Sequence, residues 1–270
     1  MNLLVVGGSG YVGSLVLPML AQHHQLRIFD LRPPVDPAWE YVPGDVRDLD
    51  SISHAMTGID ALIYMAMGLK DSPENPREEQ IKSGFDVSVK GLYLALLAAQ
   101  QSQVQAALYL STISIYGLDT DVERRYFISE NLTPEAKSAY GLTKFLGEEV
   151  CRFAARNWHM HVNVLRLCWP RSIEDWQAQA YRGTPTPKTS ADDLARALLA
   201  ALQFRQGFQL FNLSGDYDQQ IIKMRKAKRL LHWAPLARPI KAQREKISRR
   251  VMKRSLRRWL AKFSYAIGRR

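Results

Sequence analysis

The chain has 270 residues, 46% of them hydrophobic, with ordinary aromatic, Gly and Pro content; this excludes disordered and fibrous classes and suffices for one substantial domain with a small appendage. No apolar run is long enough to span a bilayer, and the run at residues 3–6 meets glycines too soon for a secretory signal. The formal net charge of +11 sits in one place, because residues 241–270 hold twelve Lys or Arg against Glu245 while the other 240 residues carry 25 basic and 25 acidic groups, so charge gives no ground for reading the whole protein as nucleic-acid binding.

Residues 2–6 form a short β-branched run that ends in glycines, the pattern of a buried strand. Val12, Leu15, Val16, Met19 and Leu20 then recur at helical spacing, with Pro18 expected to perturb that helix. Strands are predicted at 26–30, 42–45, 61–66, 107–111, 162–167 and 209–213. Helices are predicted at 49–56, 85–101, 140–156 and 190–202, with a basic helix at 219–231. Alternation of this kind predicts an α/β fold, a Rossmann-type doubly wound parallel sheet. The expected organisation is a dinucleotide-binding domain over 1–170, a small substrate-binding region over 171–240 and a basic tail over 241–270. Two polar, Pro-rich loops, 68–77 and 118–134, follow strand ends, where open α/β sheets place ligands.

The first strand runs into Gly7-Gly8-Ser9-Gly10-Tyr11-Val12-Gly13, and a helix follows. Glycines at 7, 10 and 13 allow a tight turn and close backbone approach to a pyrophosphate. The new helix points its free N–H groups and positive dipole end at the phosphates. Asp30 ends the second strand, seventeen residues beyond Gly13. A carboxylate there accepts hydrogen bonds from the adenosine ribose hydroxyls and repels a 2′-phosphate, so NAD is expected over NADP. Arg32 argues the other way, since it can pair with a phosphate.

With Asp45-Val46, Tyr140-x-x-x-Lys144 and residues 166–170 in this order, the chain resembles the extended short-chain dehydrogenase/reductase superfamily, and within it the NAD-dependent epimerase/dehydratase family. The resemblance covers residues 1 to about 235. It implies that Asp45 and Val46 flank the adenine ring and that Ala66 and Met67 approach the cofactor. It implies a catalytic hydroxyl at Thr112, four residues before Tyr116-Gly117, and a catalytic pair at Tyr140 and Lys144. It also implies that Cys168 packs near the nicotinamide and that Lys144 hydrogen-bonds the nicotinamide ribose. Members of this family are often dimers through the helix that bears Tyr140.

Residues four apart on a helix share a face, so Tyr140 and Lys144 can point into one cleft. A phenol is a poor base at neutral pH, and a nearby ammonium favours the phenolate. Tyr140 can then take a proton from a substrate hydroxyl while hydride leaves the same carbon, with Thr112 holding the oxygen. The expected activity is that of an oxidoreductase or epimerase on a sugar or nucleotide-sugar. The absence of Asp-Glu after Thr112, where Ile113-Ser114 stand instead, argues against a dehydratase. Ser88 and Trp169 stand where the family usually has Asn, and only about twenty residues, 171–190, separate the sixth strand from the next helix. That compactness leaves two alternatives open: a dehydrogenase of a small free sugar acid, similar to uronate dehydrogenases, and a non-catalytic NAD-binding scaffold. Arg166 is open between a structural role and a substrate carboxylate.

The histidines and the two cysteines, Cys151 and Cys168, show no ligand spacing, so no metal is expected and a reduced cytoplasmic protein is the default. In the tail, Val251, Met252, Leu256, Trp259, Leu260 and Phe263 gather on one side of a helical wheel. Arg250, Lys253, Arg254, Arg257 and Arg258 lie mostly on the other. That pattern suits an anionic membrane surface, with an acidic protein partner or an unpartnered helix as alternatives and nucleic acid disfavoured. The expected location is therefore cytoplasmic, peripheral to the membrane if the tail binds it.

Overall fold

Seven strands, every adjacent pair parallel, form one sheet in the order β3-β2-β1-β4-β5-β6-β7. The structure is a computed structural model that describes residues 1–68, 76–117, 128–180 and 186–239. The strands are β1 (Asn2–Val6), β2 (Gln25–Asp30), β3 (Glu40–Pro43), β4 (Ala61–Tyr64), β5 (Ala106–Thr112), β6 (His161–Leu167) and β7 (Phe208–Leu213). The helices are α1 (Tyr11–Leu20), α2 (Leu49–Ala55), α3 (Glu78–Phe85), α4 (Leu92–Gln101), α5 (Ala139–Asn157), α6 (Ile173–Ala180), α7 (Ala191–Gln203) and α8 (Arg225–Leu230). A π-helical turn, Asp86–Gly91, joins α3 to α4, and a 3-10 turn, Ile113–Tyr116, follows β5. This is the Rossmann-type α/β fold expected from the alternation of strands and helices.

Both sheet faces are covered, and strand side chains alternate between them. Leu3 and Val5 of β1, with Ala61 and Ile63 of β4, belong to the core beneath α1 and α7. Leu4, Val6, Leu62 and Tyr64 belong to the opposite core with α2, α4 and α5. Residues 3–6 of β1 and 61–64 of β4 are therefore continuous apolar runs, and their pattern is legible without knowing the partner helices. The 171–240 stretch expected to hold substrate also supplies β7, which pairs with β6, and α7, whose Leu194, Leu198 and Leu202 enter the same core as α1.

Several boundaries differ from expectation for local reasons. Pro18 lies inside α1 without ending it. It is exposed in the last turn, where water can take the carbonyl that a proline cannot serve. The third strand starts two residues earlier than predicted, and α3 and α6 were not foreseen at all. The basic helix expected over 219–231 shrinks to Arg225–Leu230. Upstream of it, the Asp216 carboxylate takes the N–H groups of Ile221 (2.7 Å) and Ile222 (3.0 Å) and holds that stretch as a loop. The tail at 241–270 and most of the loop at 118–134 lie outside the described residues, as do residues 69–75 of the first loop.

Candidate active site

The glycine loop links β1 to α1 with almost no room to spare. Gly7 has φ +82°, and a Cβ on it would stand 2.4 Å from the Ala66 Cα just beyond β4. A Cβ on Gly13 would stand 1.9 Å from the Gly8 carbonyl oxygen. Only glycine satisfies the first backbone conformation and the second contact. Gly10 occupies the N-cap of α1 and supplies no side-chain cap. The first-turn N–H groups at Tyr11, Val12 and Gly13 thus have neither a capping side chain nor a carbonyl one turn back. Donors presented by a bare, positively polarised helix end fit a pyrophosphate.

Asp30 stands at the C-terminal end of β2 with its carboxylate turned to this loop. It accepts from Ser9 N–H (3.1 Å) and Arg32 N–H (3.2 Å), while Ser9 Oγ donates to the Arg32 carbonyl (2.7 Å). The carboxylate holds the loop in shape and keeps lone pairs for a further donor. Asp45 is engaged by Arg47, whose N–H and guanidinium both reach it. This hydrogen bonding lowers the Asp45 pKa and keeps it ionised. Val46 is buried against Gly91 and Tyr64.

The second half of the site gathers where β5 ends. Thr112 Oγ1 accepts from Ser114 N–H and donates to Ser114 Oγ, both at 3.1 Å, capping the 3-10 turn. The N-terminus of α5 comes down on this turn through Gly141, where a Cβ would lie 2.8 Å from the Ser114 carbonyl oxygen. Ser138 caps α5 by accepting from Gly141 N–H (3.1 Å). Tyr140 is half-buried in the first turn. Lys144, one turn on, is 3% exposed. Its Nζ donates to the Leu110 carbonyl (2.8 Å) and sits 4.9 Å over the Tyr109 ring. Burial lowers its pKa to about 8, against smaller raising effects of Cys151 and Glu148.

Glu148 continues the same helix face one turn further and was not singled out in the sequence. Its carboxylate meets the Arg166 guanidinium of β6 at 2.6 and 2.9 Å and accepts from Ser111 Oγ at 2.6 Å. Arg166 also reaches the Tyr116 hydroxyl, which donates to the Ser129 carbonyl (2.9 Å). Both partners of this ion pair are buried. Arg166 is therefore a brace beneath the site rather than a free cation for a substrate carboxylate. The spacing Tyr140, Lys144, Glu148 was the available signal, three polar residues one turn apart on one helix face.

On the far side, β6 runs out through Cys168, which is buried, to Trp169. Leu167 pairs with Thr112 across the sheet. Thr189 donates its N–H (2.9 Å) and Oγ1 (3.0 Å) to the Cys168 carbonyl, and Arg171 N–H donates to the Thr189 carbonyl (2.9 Å). Between these anchors Trp169 takes φ +36° and leaves its side chain 42% exposed. The hydroxyl of Tyr11 reaches the Pro170 carbonyl (3.4 Å), linking the glycine-loop helix to this segment. Among the described residues, no group of three His, Cys, Asp or Glu is placed to hold a metal, and no helix is long and apolar enough to cross a membrane.

A parallel sheet with a bare glycine turn after its first strand is the arrangement of a Rossmann-type dinucleotide-binding fold, and the Tyr–Lys helix beside its fifth strand is where it resembles the short-chain dehydrogenases/reductases. Residues 3–173 match the profile of the NAD dependent epimerase/dehydratase family, and the chain belongs to that family. It is 27% identical over 238 residues to UDP-glucose 4-epimerase of Rhizobium meliloti, covering 80% of this chain and 64% of that protein. Over 158 residues it is 27% identical to an Escherichia coli O157:H7 epimerase of N-acetylglucosaminyl-diphospho-undecaprenol, covering 56% and 43% respectively. Among solved structures, a mutated uronate dehydrogenase superposes with TM-score 0.72 at 20% identity over 92% of this chain and 88% of that one. UDP-N-acetylglucosamine 4-epimerase of Bacillus cereus gives 0.71 at 18% over 88% and 95%. At such identities the superpositions speak to the fold. The chain spans about half the length of the curated relatives it matches, from 43% to 64% of the two named here.

Proposed function

We propose that the protein is an NAD-dependent oxidoreductase or epimerase that moves a hydride at a carbinol carbon of a sugar. The observation that carries this reading is the placement of Lys144. Its buried ammonium is fixed to the Leu110 carbonyl two residues before Thr112 and one helical turn from Tyr140. The same strand ends carry the glycine cradle. The named relatives and superposed enzymes act on nucleotide-linked, lipid-linked or free acidic sugars, which supports a sugar as the substrate class.

When bound, NAD supplies a hydride acceptor at its nicotinamide. Its pyrophosphate would lie on Gly7, Gly10, Tyr11, Val12 and Gly13, its adenosine ribose at Asp30, and its adenine between Asp45 and Val46. Ala66 and Cys168 would border it further along. Asp30 offers no counter-charge for a 2′-phosphate, which supports NAD over NADP. Thr112 Oγ1 holds the substrate hydroxyl, and Tyr140 takes its proton as the carbon–hydrogen bond is lost. The Lys144 ammonium favours the tyrosinate and so readies it for that transfer. In the reverse direction Tyr140 returns the proton. An epimerase would return the hydride to the opposite face of the same carbon.

The short segment between β6 and α7 also suits a small free sugar acid, although Arg166 is already paired with Glu148 and so is not available to a uronate carboxylate. Tyr93, Phe153 and Trp158 stack on one another along α4 and α5, with Tyr93 and Phe153 exposed; this surface supports a homodimer through α5. Replacing Tyr140 with Phe and following NADH and epimer formation over a panel of nucleotide sugars and uronates tests the reading. Turnover should fall by roughly 10²–10⁴. Unchanged turnover removes Tyr140 from the mechanism, and tight NAD binding without turnover by the parent protein on any sugar would favour a non-catalytic scaffold.

A further inference from the structure

We propose that residues 241–270 seat the site-bearing edge of the sheet on an anionic membrane surface, where the enzyme takes a sugar carried on a membrane-embedded lipid. The proposal rests on the sugar oxidoreductase reading above and adds to it where the substrate is presented.

The observation is the root of the tail. After α8 the chain does not leave the fold at once. Trp233 is buried and its indole N–H donates to the Asp193 carbonyl at 2.9 Å. The Asp193 carboxylate accepts from the N–H groups of Leu236 (2.8 Å) and Ala237 (3.1 Å). Arg196 joins that carboxylate to the Ala234 carbonyl. Gln177 of α6 donates to the Arg238 carbonyl (3.0 Å), and the Arg238 guanidinium lies 4.2 Å from the centre of the Tyr217 ring. The chain is thus fastened up to Arg238.

The place of fastening is next to the site. Asp193 lies in the first turn of α7, which Ser190 caps. Thr189, just before that cap, is bonded to the Cys168 carbonyl, one residue beyond the Leu167–Thr112 pair. The tail therefore starts beside the C-terminal strand ends that hold Thr112 and Trp169. Basic residues begin at Lys241, three positions past Arg238, and continue at Arg244 and Lys246, so no neutral spacer separates root from charge. The body carries equal numbers of acids and bases, which leaves the tail as the charged element.

Charge alone would equally suit a polyanion such as RNA. The sequence pattern adds Val251, Met252, Leu256, Trp259, Leu260 and Phe263 at helical spacing, with the cations between them. An apolar set of this kind, mostly aliphatic, finds little to bury against on a phosphate backbone. At a bilayer interface it is the part that enters the headgroup region.

The test uses the full chain with vesicles of phosphatidylcholine alone or mixed with phosphatidylglycerol. The parent should co-sediment with the mixed vesicles only, and W259A/F263A should lose binding about tenfold or more. Absence of sedimentation, or RNA binding that W259A/F263A leaves intact while vesicles bind poorly, overturns the proposal. Hydroxyl-radical footprinting on the vesicles should protect Trp169, Tyr217 and Leu236 and leave reactive the exposed His23, which precedes β2 at the opposite edge of the sheet. Protection of His23 with Trp169 left open overturns the orientation. A neutral Gly-Ser linker inserted after Pro239 should keep vesicle binding and turnover of a soluble nucleotide sugar, and slow turnover of a polyprenyl-diphospho-sugar in the vesicle about tenfold. Equal turnover by parent and linker variant overturns the lipid-substrate assignment. If no sugar is turned over in any form, the oxidoreductase reading fails, while sedimentation and footprint still decide the docking.

Discussion

The Lys144 ammonium and the Leu110 carbonyl oxygen lie 2.8 Å apart in a buried pocket at the end of β5. This bond keeps a cation in place where burial opposes it, lowering the lysine from its ordinary 10.5 to about 8. The sign of the resulting pH effect is fixed. Between pH 8 and 10.5 the unfolded chain binds the Lys144 proton and the folded one releases it, so stability rises with pH across that window. Below pH 8 the full cost of the buried ammonium, on the order of 3 kcal/mol, is present. K144M should therefore remove the rise in stability between pH 8 and 10.5 that the parent shows. Chemical denaturation of both proteins across that range checks it. A parallel dependence in the two proteins would assign the rise to another group.

Glu148 and Arg166 form a buried ion pair with two short contacts. Removing one partner leaves the other charged and unpaired in the core, which costs about 3–5 kcal/mol. E148A and R166A should each lose that much, and the double variant should lose far less than their sum. R166K should also be destabilised, because an ammonium cannot make both contacts. If the guanidinium is only a brace, R166K should leave the ratio of KM values for a uronate and its neutral sugar unchanged. A rise confined to the uronate would restore Arg166 as a substrate contact.

What the sequence showed and what it hid follow from the range of the forces involved. The glycine loop and the strands of both cores were legible because their requirements are local: a turn, a helix start, a run of apolar residues. Glu148 shares a helix face with Tyr140 and Lys144, but its role is hidden because its partner Arg166 arrives from β6, eighteen residues away. The helix α6 was missed because one buried side chain, Trp176, holds it, with its indole N–H donating to the Lys188 carbonyl (2.7 Å). The overlong basic helix was a reading of propensity, overridden where Asp216 captures the backbone of Ile221 and Ile222.

Asp30 serves the glycine loop as well as any cofactor, and the two roles can be separated. D30A leaves the Ser9 N–H unpaired and removes the acceptor offered to the ribose. Loss of a hydrogen bond to a charged acceptor amounts to about 1.5–3 kcal/mol, so NAD affinity should fall by roughly tenfold to a hundredfold. D30N keeps an acceptor for Ser9 but turns its amide NH2 toward the Arg32 N–H, so it should lose less stability than D30A while still lowering NAD affinity. Calorimetric titration with NAD and NADP, paired with thermal melts, distinguishes these. G13A should fail differently, since its new methyl meets the Gly8 carbonyl and distorts the cradle itself; binding of NAD and of NADP should both be lost.

Trp169 is held at φ +36° between the anchored Cys168 and Arg171, with a large part of its indole open to solvent. A left-handed backbone costs a residue with a Cβ about 1–2 kcal/mol, and glycine nothing comparable. At an ordinary extended position Ala is more stable than Gly by roughly 0.5–1 kcal/mol. Here the order should invert, with W169G more stable than W169A by about 1 kcal/mol in urea denaturation. Both variants lose the indole beside the strand ends that carry Thr112. If that ring packs on the sugar, both should raise KM for the sugar about tenfold while NAD affinity stays unchanged. A KM that stays constant in W169G would mean that the strain serves no substrate contact. Stability that follows the usual order, Ala above Gly, would mean that the backbone is not strained there.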